Sequence, residues 1–306
     1  MNYILLILGF ILLIKGADFF VEGSSSVARL LKVPSVIIGL TVVAMGTSAP
    51  EAAVSISAGI AGSNDIALSN VIGSNVFNLL VVIGVCAAIC AFEVDSDIMR
   101  RDIPVNIVIS ILLVVFLLNE KISRAEGVIL FLGIIIYLVI VVREALRSRK
   151  TAGEEVKMLS PVLSILYIAG GLVAIVIGGD MVVDSASDIA AHFGMSENLI
   201  GLTIVAVGTS LPELVTSIVA STKGESGLAL GNAVGSCIFN ILFILGMSAT
   251  LSPLSGTMEN VIDGTVLIAI TVLIAVFGYT TKKVKRWEGI VMILVYAAYM
   301  AYVIMR

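Results

Sequence analysis

Two glutamates lie inside long apolar stretches, and each directly follows a proline. Glu51 closes the hexapeptide Gly-Thr-Ser-Ala-Pro-Glu, and Glu213 closes the related hexapeptide Gly-Thr-Ser-Leu-Pro-Glu. A carboxylate in apolar surroundings is costly unless it is neutralised or binds a cation. Because proline has no backbone N–H and displaces the carbonyl four residues earlier, Pro50 and Pro212 free main-chain oxygens beside the glutamates. The two hexapeptides therefore predict a site that binds ions through oxygen atoms.

The two hexapeptides belong to an internal duplication. The glutamates are 213 − 51 = 162 residues apart, and the same offset relates residues on both sides of them. Further pairs at this offset are Asp18 with Asp180, Gly39 with Gly201, Asn70 with Asn232, Ser74 with Ser236, Asn78 with Asn240 and Gly84 with Gly246. About half of the paired positions between Ile38 and Gly84 are identical, which is typical of a repeat architecture.

The composition indicates a membrane protein. Of 306 residues, 59% are hydrophobic and only 13% are charged, whereas a soluble domain has about 25% charged residues. Apolar runs near the ~20 residues that cross a bilayer predict ten transmembrane helices in an all-α, polytopic fold. The predicted spans are 3–21, 35–61, 66–91, 104–119, 126–142, 160–182, 197–221, 227–250, 261–279 and 287–305. No basic segment precedes the first span, which is therefore predicted to be a retained helix rather than a cleaved signal.

The distribution of basic residues predicts the orientation. Residues 143–159 form the one sizeable polar connector and divide the chain into five-helix repeats, 1–142 and 160–306. With the connector in the cytoplasm, 14 basic residues fall on the cytoplasmic side and three outside, as the positive-inside rule requires. The cytoplasmic residues are Arg29, Lys32, Arg100, Arg101, Arg143, Arg147, Arg149, Lys150, Lys157, Lys223, Lys282, Lys283, Lys285 and Arg286, and the outer ones are Lys121, Arg124 and Arg306. Both termini are then outside. Because five is odd, the two repeats are inverted, as in many secondary transporters.

The helix after each hexapeptide adds polar side chains at positions i, i+4 and i+8. They are Asn70, Ser74 and Asn78 in the first half, and Asn232, Ser236 and Asn240 in the second. If the halves meet about a pseudo-two-fold axis, the freed carbonyls join a central cluster of polar side chains. The cluster consists of Glu51, Glu213, Thr47, Thr209, Ser48, Ser210, Ser74, Ser236, Asn78 and Asn240.

Such a cluster offers oxygen ligands and two negative charges. Calcium takes about six to eight oxygens, sodium can use the same atoms, and zinc or copper would prefer nitrogen or sulfur. A single buried glutamate could serve packing alone, but two at symmetric positions, each after a proline, favour ion binding. The cluster therefore predicts a site for a hard cation such as calcium or sodium, and the sequence predicts no cofactor.

The pattern Gly-Thr-Ser-x-Pro-Glu followed by Gly-Ser-x-x-Phe-Asn, present twice, resembles the sodium/calcium exchanger family of the calcium:cation antiporters. The resemblance covers the whole chain in topology, and is to prokaryotic members without a regulatory domain. It implies a plasma-membrane antiporter whose partners are calcium, sodium and the lipid bilayer, with no nucleic acid. It also implies that Ala44 and Ala206 carbonyls and the repeat serines join flanking sodium sites, and that the first and sixth spans slide to gate the site.

The coupling ion and the class of membrane protein have alternatives. Many relatives in the family, especially potassium-dependent ones, carry aspartate where this chain has Asn240, so the resemblance favours potassium-independent exchange. Proton/calcium antiport through the same glutamates is the second hypothesis, and a passive channel fits the inverted halves less well. An enzyme is disfavoured, because an intramembrane serine protease needs a histidine within a span and an aspartyl protease needs a second mid-membrane aspartate. The one histidine, His192, is predicted to lie on an outer surface.

Other polar residues are predicted to have structural roles. Lys15 and Asp18 are three apart on one helix and should pair. The stripe of acids at the outer end of the sixth span should be a solvated face rather than a cation funnel; it consists of Asp180, Asp184 and Asp188. Cys86 and Cys90 are predicted to be small core residues rather than disulfide or metal partners.

Overall fold

A computed structural model describes residues 2–147, 159–195, 204, 206–281 and 283–306. The helices are α1 (Asn2–Leu31), α2 (Ser35–Thr47), α3 (Ala49–Ile60), α4 (Asn64–Ile89), α5 (Ile103–Leu117), α6 (Arg124–Arg147), α7 (Pro161–His192), α8 (Ala206–Gly208), α9 (Leu211–Thr222), α10 (Ser226–Leu251), α11 (Met258–Thr281) and α12 (Arg286–Met305). Within the described residues, seven helices are long and apolar enough to cross a membrane, or eight if the bent pair α2–α3 is one span. Most of the predicted connector and the start of the predicted span 197–221 lie outside the described residues.

The described residues are mostly helical, as predicted, and they also contain four strands of two residues each, which were not predicted from the sequence. β1 (Phe92–Glu93) pairs antiparallel with β4 (Lys283–Val284), and β2 (Lys121–Ile122) pairs antiparallel with β3 (Leu254–Ser255). The offset of 162 relates β1 to β3 and β2 to β4, so each pairing joins one half of the chain to the other. Each strand buries one apolar residue and exposes its neighbour. Two residues are too few for this alternation to be recognised in a sequence.

The centre of the molecule is formed by α4 and α10, the helices that follow the two hexapeptides. In their most apolar windows, 72% of the α4 residues and 94% of the α10 residues are buried. The main apolar core extends from these helices to α5, α6 and α11. A polar residue on the buried faces of these helices, such as Asn75 or Ser236, is therefore far from solvent, and its hydrogen-bonding groups need partners inside the protein or a bound ion.

The helices α1 and α7 form a separate antiparallel pair. Leu13 and Phe20 of α1 pack with Ile175 and Val182 of α7 in an apolar cluster distinct from the main core. Both helices continue past the predicted ends at 21 and 182, to Leu31 and His192. The prediction was too short because polar residues mark where a helix leaves an apolar environment, and not where its hydrogen bonding stops.

Most of the predicted structural roles are confirmed. Lys15 Nζ lies 3.9 Å from Asp18 Oδ2, and Asp18 also pairs with Lys223 at 2.8 Å. The residues predicted to be exposed are so: Asp180, Asp184, Asp188 and His192. Cys86 is buried, but the prediction for Cys90 was wrong, because this residue follows the last residue of α4 and is exposed.

Candidate ion-binding site

Both glutamates lie in the first turn of a helix that begins where the preceding helix is interrupted, a point called a helix break below. The axis bends by 51° between α2 and α3, with Ser48 at the break. Ser210 occupies the same position before α9. Pro50 and Pro212 are the second residues of α3 and α9, where a backbone N–H would have no partner within the helix. Glu51 and Glu213 follow in those first turns, where the helix dipole favours negative charge.

Two reciprocal hydrogen bonds join the breaks. Ser48 Oγ donates to Glu213 Oε1 at 2.8 Å, and Ser210 Oγ donates to Glu51 Oε1 at 2.9 Å. The offset of 162 converts one hydrogen bond into the other. All four side chains have no solvent exposure. The structure therefore brings these four predicted site residues together in one buried cluster.

The serines of the following helices extend this cluster. Ser210 Oγ lies 3.1 Å from Ser74 Oγ of α4. On the opposite side, Ser236 Oγ of α10 lies 3.4 Å from Glu213 Oε1. Both serines are buried, as the helical spacing predicted.

Several oxygens of the cluster have no hydrogen-bond partner within the described residues. They are Oε2 of Glu51 and Glu213, Oδ1 of Asn78 and Asn240, and Oγ1 of Thr209. Among the described residues, no lysine or arginine forms an ion pair with Glu51 or Glu213. An unpartnered buried polar atom costs about 1–3 kcal/mol, and a single cation can satisfy several oxygens together. The arrangement is suited to a hard cation.

Two of the predicted oxygen-bearing residues have another role. The Asn70 amide nitrogen donates to Ser55 Oγ at 2.8 Å, and the Asn232 amide nitrogen donates to Ser217 Oγ at 2.9 Å. These bonds are equivalent under the offset and fasten each central helix to its glutamate-bearing neighbour. Asn232 Nδ2 also lies 3.3 Å from the backbone carbonyl of Glu213. Thus the residues at i, i+4 and i+8 do not share one role. The first, Asn70 or Asn232, holds two helices together, and only the other two remain candidate ion ligands.

The remaining predicted residues are placed less uniformly. Thr47 Oγ1 lies 3.0 Å from Asn232 Oδ1 and 3.5 Å from the Ala44 carbonyl. Ala44 is buried. Ala206 begins α8, and its side chain is outside the description. Thr209 is partly exposed, in contrast to the fully buried Thr47.

Sequence reasoning missed Asn75. Its side chain contacts both Cys237 and Asn240 in the buried centre. The offset pairs Asn75 with a cysteine, so a search for matching polar residues passes over it. The sequence also gave no sign that Asn78 and Asn240 each begin a π-helical turn, Asn78–Val82 and Asn240–Leu245, a distortion frequent at functional sites.

A cavity of about 360 Å³ lies between residues 176–184 of α7 and the two helix breaks. Its wall includes Pro50, Pro212 and Thr209, together with the acids Asp180 and Asp184. The predicted solvated acids therefore face a space that leads toward the glutamates.

Comparisons with known proteins agree with this geometry. The profile of the family described as "Sodium/calcium exchanger protein" matches residues 1–143 and 163–305. A putative antiporter, CaxA of Alkalimonas amylolytica, is 38% identical over 97% of this chain and 96% of its own. The sodium/calcium exchanger MaX1 of Methanosarcina acetivorans is 33% identical over 98% and 97%. A solved structure of the sodium-calcium exchanger NCX_Mj, soaked with sodium and calcium, is similar with a TM-score of 0.87 and 34% identity, covering 98% of this chain and 97% of that one.

Proposed function

Since the chain belongs to the sodium/calcium exchanger protein family, we propose that it exchanges sodium for calcium at the cluster around Glu51 and Glu213. Members of this family are transporters and not enzymes, and they act on the ions they carry without a bound cofactor. Cation/calcium antiport follows from the family. The finer proposal is that a sodium gradient drives calcium transport. The ions are held by the ten polar residues of the predicted central cluster together with the carbonyls of Ala44 and Ala206.

The observation that carries this proposal is the reciprocal pair of serine–glutamate hydrogen bonds, which leaves Oε2 of both glutamates without a partner among the described residues. Each carboxylate is held by one oxygen and offers the other. One calcium ion or two sodium ions would neutralise the two charges. Because both ions need the same carboxylates, they exclude each other. Exchange then requires only one further condition. The protein must change from facing one side of the membrane to facing the other far more slowly when the doubly negative site is empty than when it is filled.

We also propose the ten-helix topology of two inverted repeats, 1–142 and 160–306, in the cell membrane with both termini outside. Pairings between distant parts of the chain support it. The strands β1 and β4 lie in loops assigned to the cytoplasm, and β2 and β3 in loops assigned to the outside. Arg29 pairs with Glu225 on the cytoplasmic side, and Arg306 with Asp263 on the outer side. None of these contacts joins loops assigned to opposite sides.

Cysteine labelling tests the topology at two equivalent positions. Glu93 and Ser255 are both exposed and are related by the offset of 162. In a Cys90→Ser background, which removes the exposed native thiol, Glu93→Cys should react with an impermeant maleimide from the cytoplasmic side only. Ser255→Cys should react from the outside only, since inverted repeats place equivalent positions on opposite faces. Labelling of both from one face would exclude the inverted arrangement.

Proteoliposomes test the coupling ion. Calcium uptake should follow an imposed sodium gradient at equal pH, and should not follow a proton gradient at equal sodium. Omission of potassium should leave uptake unchanged, because both amide positions, Asn78 and Asn240, are neutral. Uptake that tracks the proton gradient and ignores sodium would instead establish proton/calcium antiport through the same glutamates.

A further inference from the structure

The duplication brings two equivalent but different residues into contact at the centre of the molecule. Asn75 Nδ2 donates to the Cys237 backbone carbonyl at 3.2 Å, and Cys237 Sγ donates to the Asn75 backbone carbonyl at 3.7 Å. Since 75 + 162 = 237, each residue meets its own counterpart. Both are fully buried. To this extent the contact is symmetric, with each side chain bonded to the other residue's main chain.

The symmetry ends at the next atom. Asn75 has a second polar atom, Oδ1, which accepts a hydrogen bond from Asn240 Nδ2 at 3.0 Å. Cys237 has no equivalent atom, because its single S–H is already donated and sulfur is a weak acceptor. Correspondingly, both amide atoms of Asn78 have no partner within the described residues. One of the two site amides is held, and its counterpart is not.

We propose that Asn75 is a positioning residue that turns the Asn240 amide so that its oxygen is presented to the transported ion. The inference rests on the proposed function. An asparagine amide has a donor end and an acceptor end, and a cation binds only the acceptor. The Nδ2 of Asn75 is committed to a carbonyl, so its Oδ1 faces Asn240 and can accept only N–H. Asn240 Oδ1 is thereby directed away from Asn75, and it is buried with no hydrogen-bond partner in the part of the chain that the structure describes.

The two halves then contribute unequally to calcium binding. Asn240 is oriented before the ion arrives, whereas Asn78 must be oriented by the ion itself. Preorganised ligands bind more tightly because less freedom is lost on binding. Position 240 should therefore matter more than position 78, although their residues are identical and their helices equivalent.

An exchange of the two central residues tests this directly. In the parent protein, Asn240→Ala should lower calcium affinity by about 10-fold and Asn78→Ala by about 3-fold, the scale of one hydrogen-bonding group. In the double variant Asn75→Cys with Cys237→Asn, the new amide at 237 faces Asn78 in place of Asn240. The order should reverse, so that Asn78→Ala becomes the more damaging substitution. Calcium binding to the purified full-length protein, by isothermal titration in detergent, gives these ratios.

A residue that only packs helices would change all affinities together and would not reverse their order. The single variant Asn75→Ala supplies a second measurement if the exchanged protein does not fold: there the effects of Asn78→Ala and Asn240→Ala should become equal. An unchanged order in either background would overturn the positioning role alone. Absence of calcium binding to the parent protein would overturn the proposed function, and this inference with it.

Discussion

Replacement of Glu51 or Glu213 by glutamine is expected to abolish calcium exchange while leaving the fold intact. Each substitution removes one of the two buried charges that would neutralise calcium. Removing one partner of a buried ion pair costs about 3–5 kcal/mol, which corresponds to a loss of affinity of more than about 100-fold. The glutamine oxygen can still accept the hydrogen bond from Ser210 or Ser48, so the packing of the two breaks should survive.

Two measurements separate binding from folding in these variants. Calcium should raise the unfolding temperature of the parent protein, because a ligand that binds only the folded state stabilises it. It should leave that of Glu51→Gln and Glu213→Gln unchanged, and calcium flux in proteoliposomes should fall to background. Glu288→Gln is the matched control, since this glutamate is also buried but bonds the Lys285 backbone N–H at the start of α12. Near-parental flux in either site variant would reject the site.

The centre of the site could be predicted because the residues that form it are identical in the two halves of the duplication. Ser48, Glu51 and their counterparts fall at one offset, and a pseudo-two-fold axis between the halves was expected to bring them together. The structure meets this expectation with reciprocal bonds of 2.8 and 2.9 Å. A duplicated motif predicts contacts across an axis even though the residues are 159 or more positions apart in the chain.

Contacts between unlike residues could not be predicted in this way. Arg101 bonds Glu144, and Asp263 bonds Arg306. The offset relates Arg101 to Asp263 and Glu144 to Arg306, so both halves keep an ion pair at the same positions with the charges exchanged. A comparison of identities records two mismatches there. Asn75 was not predicted for the same reason. Its proposed role depends on a difference between the halves, because its counterpart is Cys237.

The α1–α7 pair has a feature that sequence reasoning also left out, a seam of close backbone contacts. A Cβ added at Gly16 would lie 2.8 Å from the Gly171 carbonyl oxygen, and one added at Gly171 would lie 2.6 Å from Phe20 N. Backbone atoms cannot move aside as a flexible side chain can. The apolar cluster that contains this pair also includes Val43 of α2 and Ala220 of α9, so the pair packs on the helices beside the two glutamates through a contact outside the main core. We propose that it slides as a unit along those helices, with the seam holding it together.

Gly171→Ala is therefore expected to stop transport with little effect on ion binding. The methyl group would force α1 and α7 apart at a cost of roughly 1–3 kcal/mol, as overpacking does elsewhere. Because the separated helices would no longer move as one body, calcium flux should fall by about 10- to 100-fold, the rate equivalent of that cost. Calcium affinity by titration should stay within about 3-fold of the parent value, because the cluster at Glu51 and Glu213 is untouched. Gly170→Ala is the neighbouring control: a Cβ there meets no atom within 4 Å, so its flux should equal that of the parent. Equal flux in the two alanine variants, or equal loss in both, would show that close approach at position 171 has no part in transport.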